Sequence, residues 1–138
     1  MDREVVEQKL EALRRCLHRI ETKCPMDAAT LVADLDLQDI VSLNLSRAVQ
    51  ISVDIGAHLI AGMEVPPPDT MGQTFDVLAQ QGVLSNELAS SLKKAVGFRN
   101  IAVHNYESIN WNIVHSIVKY HLADFSEFAK VVALKATK

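Results

Sequence analysis

The sequence predicts an all-α protein, an antiparallel bundle of about five helices, and three observations carry that prediction. Apolar residues recur at helical spacing in successive stretches along the chain. The sharpest breakers, Cys24-Pro25, Gly62 with Pro66-Pro67-Pro68, and Gly82, fall between those stretches. No stretch reads as a strand, and the loops are short, as antiparallel bundles require. A chain of 138 residues is one domain by size, long enough for a single core. Its hydrophobic fraction of 49% and charged fraction of 22% are those of a globular protein and exclude disorder. Aromatics make up 5%, so the core must be built mainly from Leu, Val, Ile and Ala.

The first helix is predicted over residues 5–20, where Val5, Val6, Leu10, Leu13, Leu17 and Ile20 share a face and Arg14, Arg15 and Arg19 are offset from it. Pro25 ends it, because the residue before a proline is pushed out of the α region. Residues 25–35 have room for a further turn or two. The second long helix covers residues 37–63 and is apolar on more than one side, through Ile40, Val41, Leu45, Val49, Val53, Ile55 and Leu59. Its Ile and Val content would also suit a strand; length and the lack of turn signals decide for helix. Such a helix must be central or face a second subunit. Thr70 and Gln73 have capping-box spacing for a short helix through Gln81, which Gly82 closes. Ser85 caps a helix from Asn86 towards His104. Asn110 caps the last, whose stripe is Trp111, Val114, Val118, Phe125, Phe128 and Val132 and whose end carries Lys135 and Lys138.

Charge and cysteine usage narrow the function. A net charge of −3 argues against a broad nucleic-acid-coating surface and leaves room for RNA in a small basic pocket; DNA is not expected as a partner. No stretch is long and apolar enough to span a membrane, and the charged start Met1-Asp2-Arg3-Glu4 is unlike a signal peptide, so a cytoplasmic location is expected. Cys16 and Cys24 have neither CxxC spacing nor a histidine partner and read as reduced thiols. The histidines include no HxH or HExxH, so neither metal nor other cofactor is expected, and no glycine-rich phosphate loop is present.

Chemistry concentrates in Arg99-Asn100-Ile101-Ala102-Val103-His104-Asn105-Tyr106. The stripe Leu88, Leu92, Ala95 continues onto Arg99, where the period asks for an apolar residue. A buried guanidinium must be paired, lie at a cleft or face another subunit; the plainer alternative is a snorkelling or ion-paired arginine. Asn100 and His104 share a helical face, whereas Arg99 and His104 are about 140° apart on a regular helix. For both to meet one phosphate, the helix must end before His104 or two chains must combine their motifs. Lys93 and Lys94 add either local positive potential or only a solvated face. Arg47, Asp54 and His58 lie near one stripe of the second long helix. They form either a second wall of the cleft, with Asp54 orienting Arg99 or His104, or a buried polar network fixing dimer register.

That eight-residue run resembles the R-x4-H-x-Y motif of HepT-like HEPN toxins. The likeness extends to Leu37-Gln38-Asp39, Asn44-Leu45 and Asp54-Ile55-Gly56-Ala57-His58, to residues 75–85 and to the run from Leu92 to Asn100, covering about residues 1–133. The resemblance implies a toxin of a toxin–antitoxin pair, a metal-independent endoribonuclease that works as a homodimer with Arg99 and His104 lining one cleft. Cleavage through the RNA's own 2′-hydroxyl needs a base, an acid and positive charge, which histidine and arginine supply near neutral pH. One chain holds one motif histidine and a twofold dimer holds two. Asn100 and Asp54 would support the pair. The resemblance further implies that Tyr106 accepts AMP from a partner nucleotidyltransferase, an MntA-like antitoxin, which would block the site by charge and bulk; the plain alternative for Tyr106 is packing at the bundle end. A different class of function also fits, a non-catalytic helical partner that docks to a nucleotidyltransferase and binds or presents its substrate. A plain helical scaffold would leave Arg99 unexplained.

Overall fold

A computed structural model of the chain describes residues 2–136. Among them are six α-helices, one 3-10 turn and no strand: α1 Arg3–Lys23, α2 Ala28–Ala33, α3 Leu35–Ala61, α4 Met71–Gln80, α5 Asn86–His104, the turn Tyr106–Ser108, and α6 Trp111–Ala136. The all-α bundle is as the sequence predicts, with α2 as the sixth helix where only a turn or two was expected.

Each helix starts where a short polar side chain can take up orphan amide hydrogens. Asp2 accepts from the amides of Glu4 and Val5, Asp27 from Thr30, and Asp34 from Leu37. Thr70 accepts from the amide of Gln73, whose own side chain takes the Asp69 amide at 2.8 Å. Ser85 opens α5 by accepting from Leu88, and Asn110 opens α6 by accepting from Asn112 and Ile113. The stops are equally local. Cys24 is extended ahead of Pro25. Gly82 sits at φ 75°, where a side chain would be strained, and lets the amide of Val83 reach back to the Leu78 carbonyl at 2.9 Å. Lys135 lies in the last turn of α6, and Lys138 lies outside the described residues.

α3 is the hub. It touches each of the other five helices, which accounts for an apolar pattern on more than one side. The surrounding core is mostly Leu, Val, Ile and Ala, with Phe75, Phe125 and Phe128 the largest fully buried side chains. Phe75 of α4 and Phe128 of α6 meet edge to face with centroids 6.0 Å apart. The buried polar groups of α3 are satisfied: Gln38 donates to the carbonyls of Leu31 and Val32, Asn44 to Ile40, and Ser52 to Ala48. Gly56 is where α4 comes closest, since a methyl there would stand 2.6 Å from Thr74 Cγ2. Cys16 is buried and Cys24 half-buried, both free thiols whose pKa burial pushes up.

Candidate functional site

The site is assembled where α5 runs out. α5 stays helical through His104, and the Asn105 amide still bonds to the Ile101 carbonyl at 2.8 Å. The helix therefore does not end before His104, and that route to bringing Arg99 and His104 together is closed. On the regular helix the two side chains leave about 140° apart. Asn100 and His104 do share a face, and both are exposed.

Arg99 is not in the core. Phe98, its neighbour, takes the buried place beside Ala95, and Arg99 lies half-buried at the margin. Its one hydrogen bond among the described residues is a long one, from Nη1 to Asn100 Oδ1 at 3.4 Å. It has no carboxylate partner among them. His104 likewise has no hydrogen-bond partner there. A guanidinium with one long bond and an imidazole with none among the described residues thus stand at the end of α5.

Asp54 has other partners than those expected of it. It accepts from Gln50 Nε2 at 2.9 Å and faces Lys9 of α1 at 3.8 Å, half-exposed, so within one chain it orients neither Arg99 nor His104. His58 Nε2 accepts from the Asp2 amide at 3.0 Å, and Arg47 is exposed. Within one chain these three do not form a buried network: Asp54 and His58 go to different neighbours, and Arg47 is exposed. Lys93 is paired with Asp76 of α4 at 2.9 Å and so is partly neutralised, while Lys94 is exposed.

Tyr106 is the best-anchored polar residue of the run. It opens the 3-10 turn, and its hydroxyl donates to Asp39 Oδ1 of α3 at 2.6 Å. Ser42 Oγ lies 3.5 Å from the same hydroxyl, and the ring meets Trp111 edge to face at 5.7 Å. Desolvation, and then the bond to Asp39, hold the phenol above the ordinary tyrosine pKa. Asp39 and Ser42 were given no role from the sequence: they are 67 and 64 residues away from Tyr106, and no local pattern connects them.

Beside the turn, a groove of about 460 Å³ runs between α5 and α6. Gly97, Ile101, Ile109, Ile113 and Ile117 line it, and Ile101 and Ile113 are 45% and 57% exposed. Arg99, His104 and Tyr106 lie outside it. Among the described residues no three His, Cys, Asp or Glu side chains gather as a metal site would need.

Residues 13–132 match the model of the family described as ribonuclease HepT-like. The chain belongs to the ribonuclease HepT-like family. A HepT-like relative, the mRNA nuclease HepT of Shewanella oneidensis, is 36% identical over 129 residues, spanning 94% of this chain and 96% of that protein. The tRNA nuclease HepT of Aphanizomenon flos-aquae is 23% identical over 93% of this chain and 87% of its own length. Among solved structures, the tri-AMPylated HEPN toxin of Shewanella oneidensis in complex with MNT antitoxin superimposes with a TM-score of 0.88 at 35% identity, over 97% of this chain and 98% of that one. In this chain Arg99 and His104 stand on α5 without a carboxylate partner among the described residues, and Tyr106 is moored to α3.

Proposed function

We propose that this chain is the ribonuclease toxin of a toxin–antitoxin pair, a single-domain protein acting in the cytoplasm on RNA without metal. Its antitoxin is a nucleotidyltransferase that silences it by transferring AMP to Tyr106. Membership of the HepT-like family supports the reading, as does the likeness to a toxin that is AMPylated and held by its antitoxin. No helix among the described residues is long and apolar enough to cross a membrane, in keeping with the location.

In this reading the 2′-hydroxyl attacks the adjacent phosphate, the proton passes to one imidazole, and the departing 5′-oxygen takes a proton from another. The Arg99 guanidinium, with its planar fork of donors, offsets the charge gathering on the phosphoryl oxygens. The observation that carries the proposal is the unbroken helix through His104. Because Arg99 and His104 point to different sides of it, a pocket holding both is completed by a second copy, which also supplies the second histidine. Asn100, on the His104 face, supports substrate there.

The test is cleavage of labelled total RNA in EDTA by the unmodified protein and its His104→Ala form. Cleavage that survives EDTA and is lost in the variant is the expected result. No cleavage by a mass-verified, unmodified dimer would overturn the ribonuclease and leave the nucleotidyltransferase-docking role in its place. Incubation with the antitoxin and ATP, read by intact mass, is expected to add AMP to the wild type and none to Tyr106→Phe.

A further inference from the structure

Asp39 stands in a place that the cleavage chemistry does not use. It is exposed on the second turn of α3, one of its carboxylate oxygens is 2.6 Å from the Tyr106 hydroxyl, and no other side chain bonds to that carboxylate among the described residues, Ser42 Oγ reaching only its backbone carbonyl at 3.3 Å. The tyrosine is fixed on two further sides. Trp111 of α6 abuts the ring, and Ser42, one turn along α3 from Asp39, approaches the hydroxyl at 3.5 Å. Tyr106 itself remains 39% exposed, so a nucleotide can reach it. α6 brings no acid in its first turn, and the 3-10 turn brings Glu107, so Asp39 is the carboxylate aimed at the hydroxyl.

We infer that Asp39 is the proton acceptor and positioning residue for nucleotidyl transfer to Tyr106, a role resting on the modification proposed above. The Tyr106 O–H points at Asp39 and one lone pair of the oxygen faces Ser42 Oγ at 3.5 Å, which leaves the other to attack the α-phosphorus of an incoming ATP. As the bond from Tyr106 Oη to that phosphorus forms, the bond from phosphorus to the bridging oxygen of the β-phosphate breaks, and pyrophosphate leaves. The phenolic proton passes to the Asp39 carboxylate and from there to water. No oxidant or further reactant is needed. Phosphoryl-type transfer gains chiefly from positioning, and a nucleophile held at ring and hydroxyl has already lost most of the freedom that the reaction would otherwise take from it.

The test uses full-length protein, the partner nucleotidyltransferase and ATP, with AMP incorporation followed by intact mass across a pH series. Asp39→Asn keeps a hydrogen-bonding group of similar shape and removes the base. Its initial modification rate is expected to fall about 100-fold near neutral pH. The pH profile should also change form: nearly level for the wild type, and rising about tenfold per pH unit in the variant, which must wait for the phenolate. Asp39→Glu should recover part of the rate. Equal rates and parallel profiles for wild type and Asp39→Asn would overturn the inference. Because Asp39 lies on the surface, a matching circular-dichroism melt and unchanged RNA cleavage would separate these outcomes from misfolding. If the wild type itself gains no AMP, or gains it equally in Tyr106→Phe, the modification reading fails first and the inference falls with it.

Discussion

An arginine that meets no carboxylate in its own chain keeps its charge for a phosphate. Among the described residues Arg99 is in that position, half-buried with only a long bond to Asn100. Arg99→Lys keeps the charge and loses the planar fork, so single-turnover cleavage should slow by about 100-fold while the urea midpoint stays put. Tyr106 presents the opposite case, a polar group committed to its own fold. Its raised pKa means that the folded state holds the phenolic proton more tightly than the unfolded chain does. The resulting stabilisation is full below the ordinary tyrosine value of about 10 and is lost as pH climbs through the folded value. Observed by the NMR shift of its Cζ carbon, Tyr106 should titrate above free tyrosine, and Asp39→Asn should bring it down. Arg99, His104 and Tyr106 were legible in the sequence as members of a spaced motif. Asp39 lay within the family likeness, but its contact with Tyr106 was not legible, because a meeting of the start of α3 with the turn after α5 leaves no trace in either segment alone.

Helix boundaries are the part of this fold that sequence states most openly, since caps are local chemistry. Thr70, Gly82, Ser85 and Asn110 each act where their side chains or backbone freedom predict. α2 was harder to see, because six residues are too few for a periodic face and its capping aspartate, Asp27, lies in a loop. The inward side of α5 runs through Leu88, Leu92 and Ala95 as the spacing predicts, but its next core position is Phe98 and Arg99 lies at the margin. Two glycines show how packing decides what propensity cannot. Gly56→Ala would improve α3 as an isolated helix, yet its methyl would meet Thr74 and Leu78 of α4 at 2.6 and 3.2 Å, so a net loss of about 1–3 kcal/mol is expected. Gly97→Ala, on α5, meets nothing within 4 Å and should stabilise by about 0.5–1 kcal/mol. Urea denaturation of both variants checks the pair, and their signs should be opposite.

Over the whole molecule, the acidic balance and the place proposed for Arg99 set how RNA would be held. With Lys93 paired with Asp76, the proposed dimer is expected to hold phosphate mainly through its two Arg99 side chains. Two contacts to single-stranded RNA give a slope of log affinity against log salt near about −1.4, far shallower than that of a protein coating the nucleic-acid backbone. Filter binding of uncleavable RNA by His104→Ala over a salt series measures it, and a slope steeper than about −4 would point to a broad basic surface instead. The acidic balance is legible in composition, whereas the apolar groove between α5 and α6 is not, since its exposed Ile101 and Ile113 look like core residues in a sequence. The place of α3 at the hub carries one more consequence, which concerns lifetime. A helix in contact with all five others cannot be released until the bundle as a whole opens. Its amides should therefore be the slowest to exchange with deuterium, and their exchange should report the global unfolding free energy. A protease acting on the bundle has no partial opening of α3 to exploit, so the persistence of the protein in a cell is governed by how often the entire core comes apart.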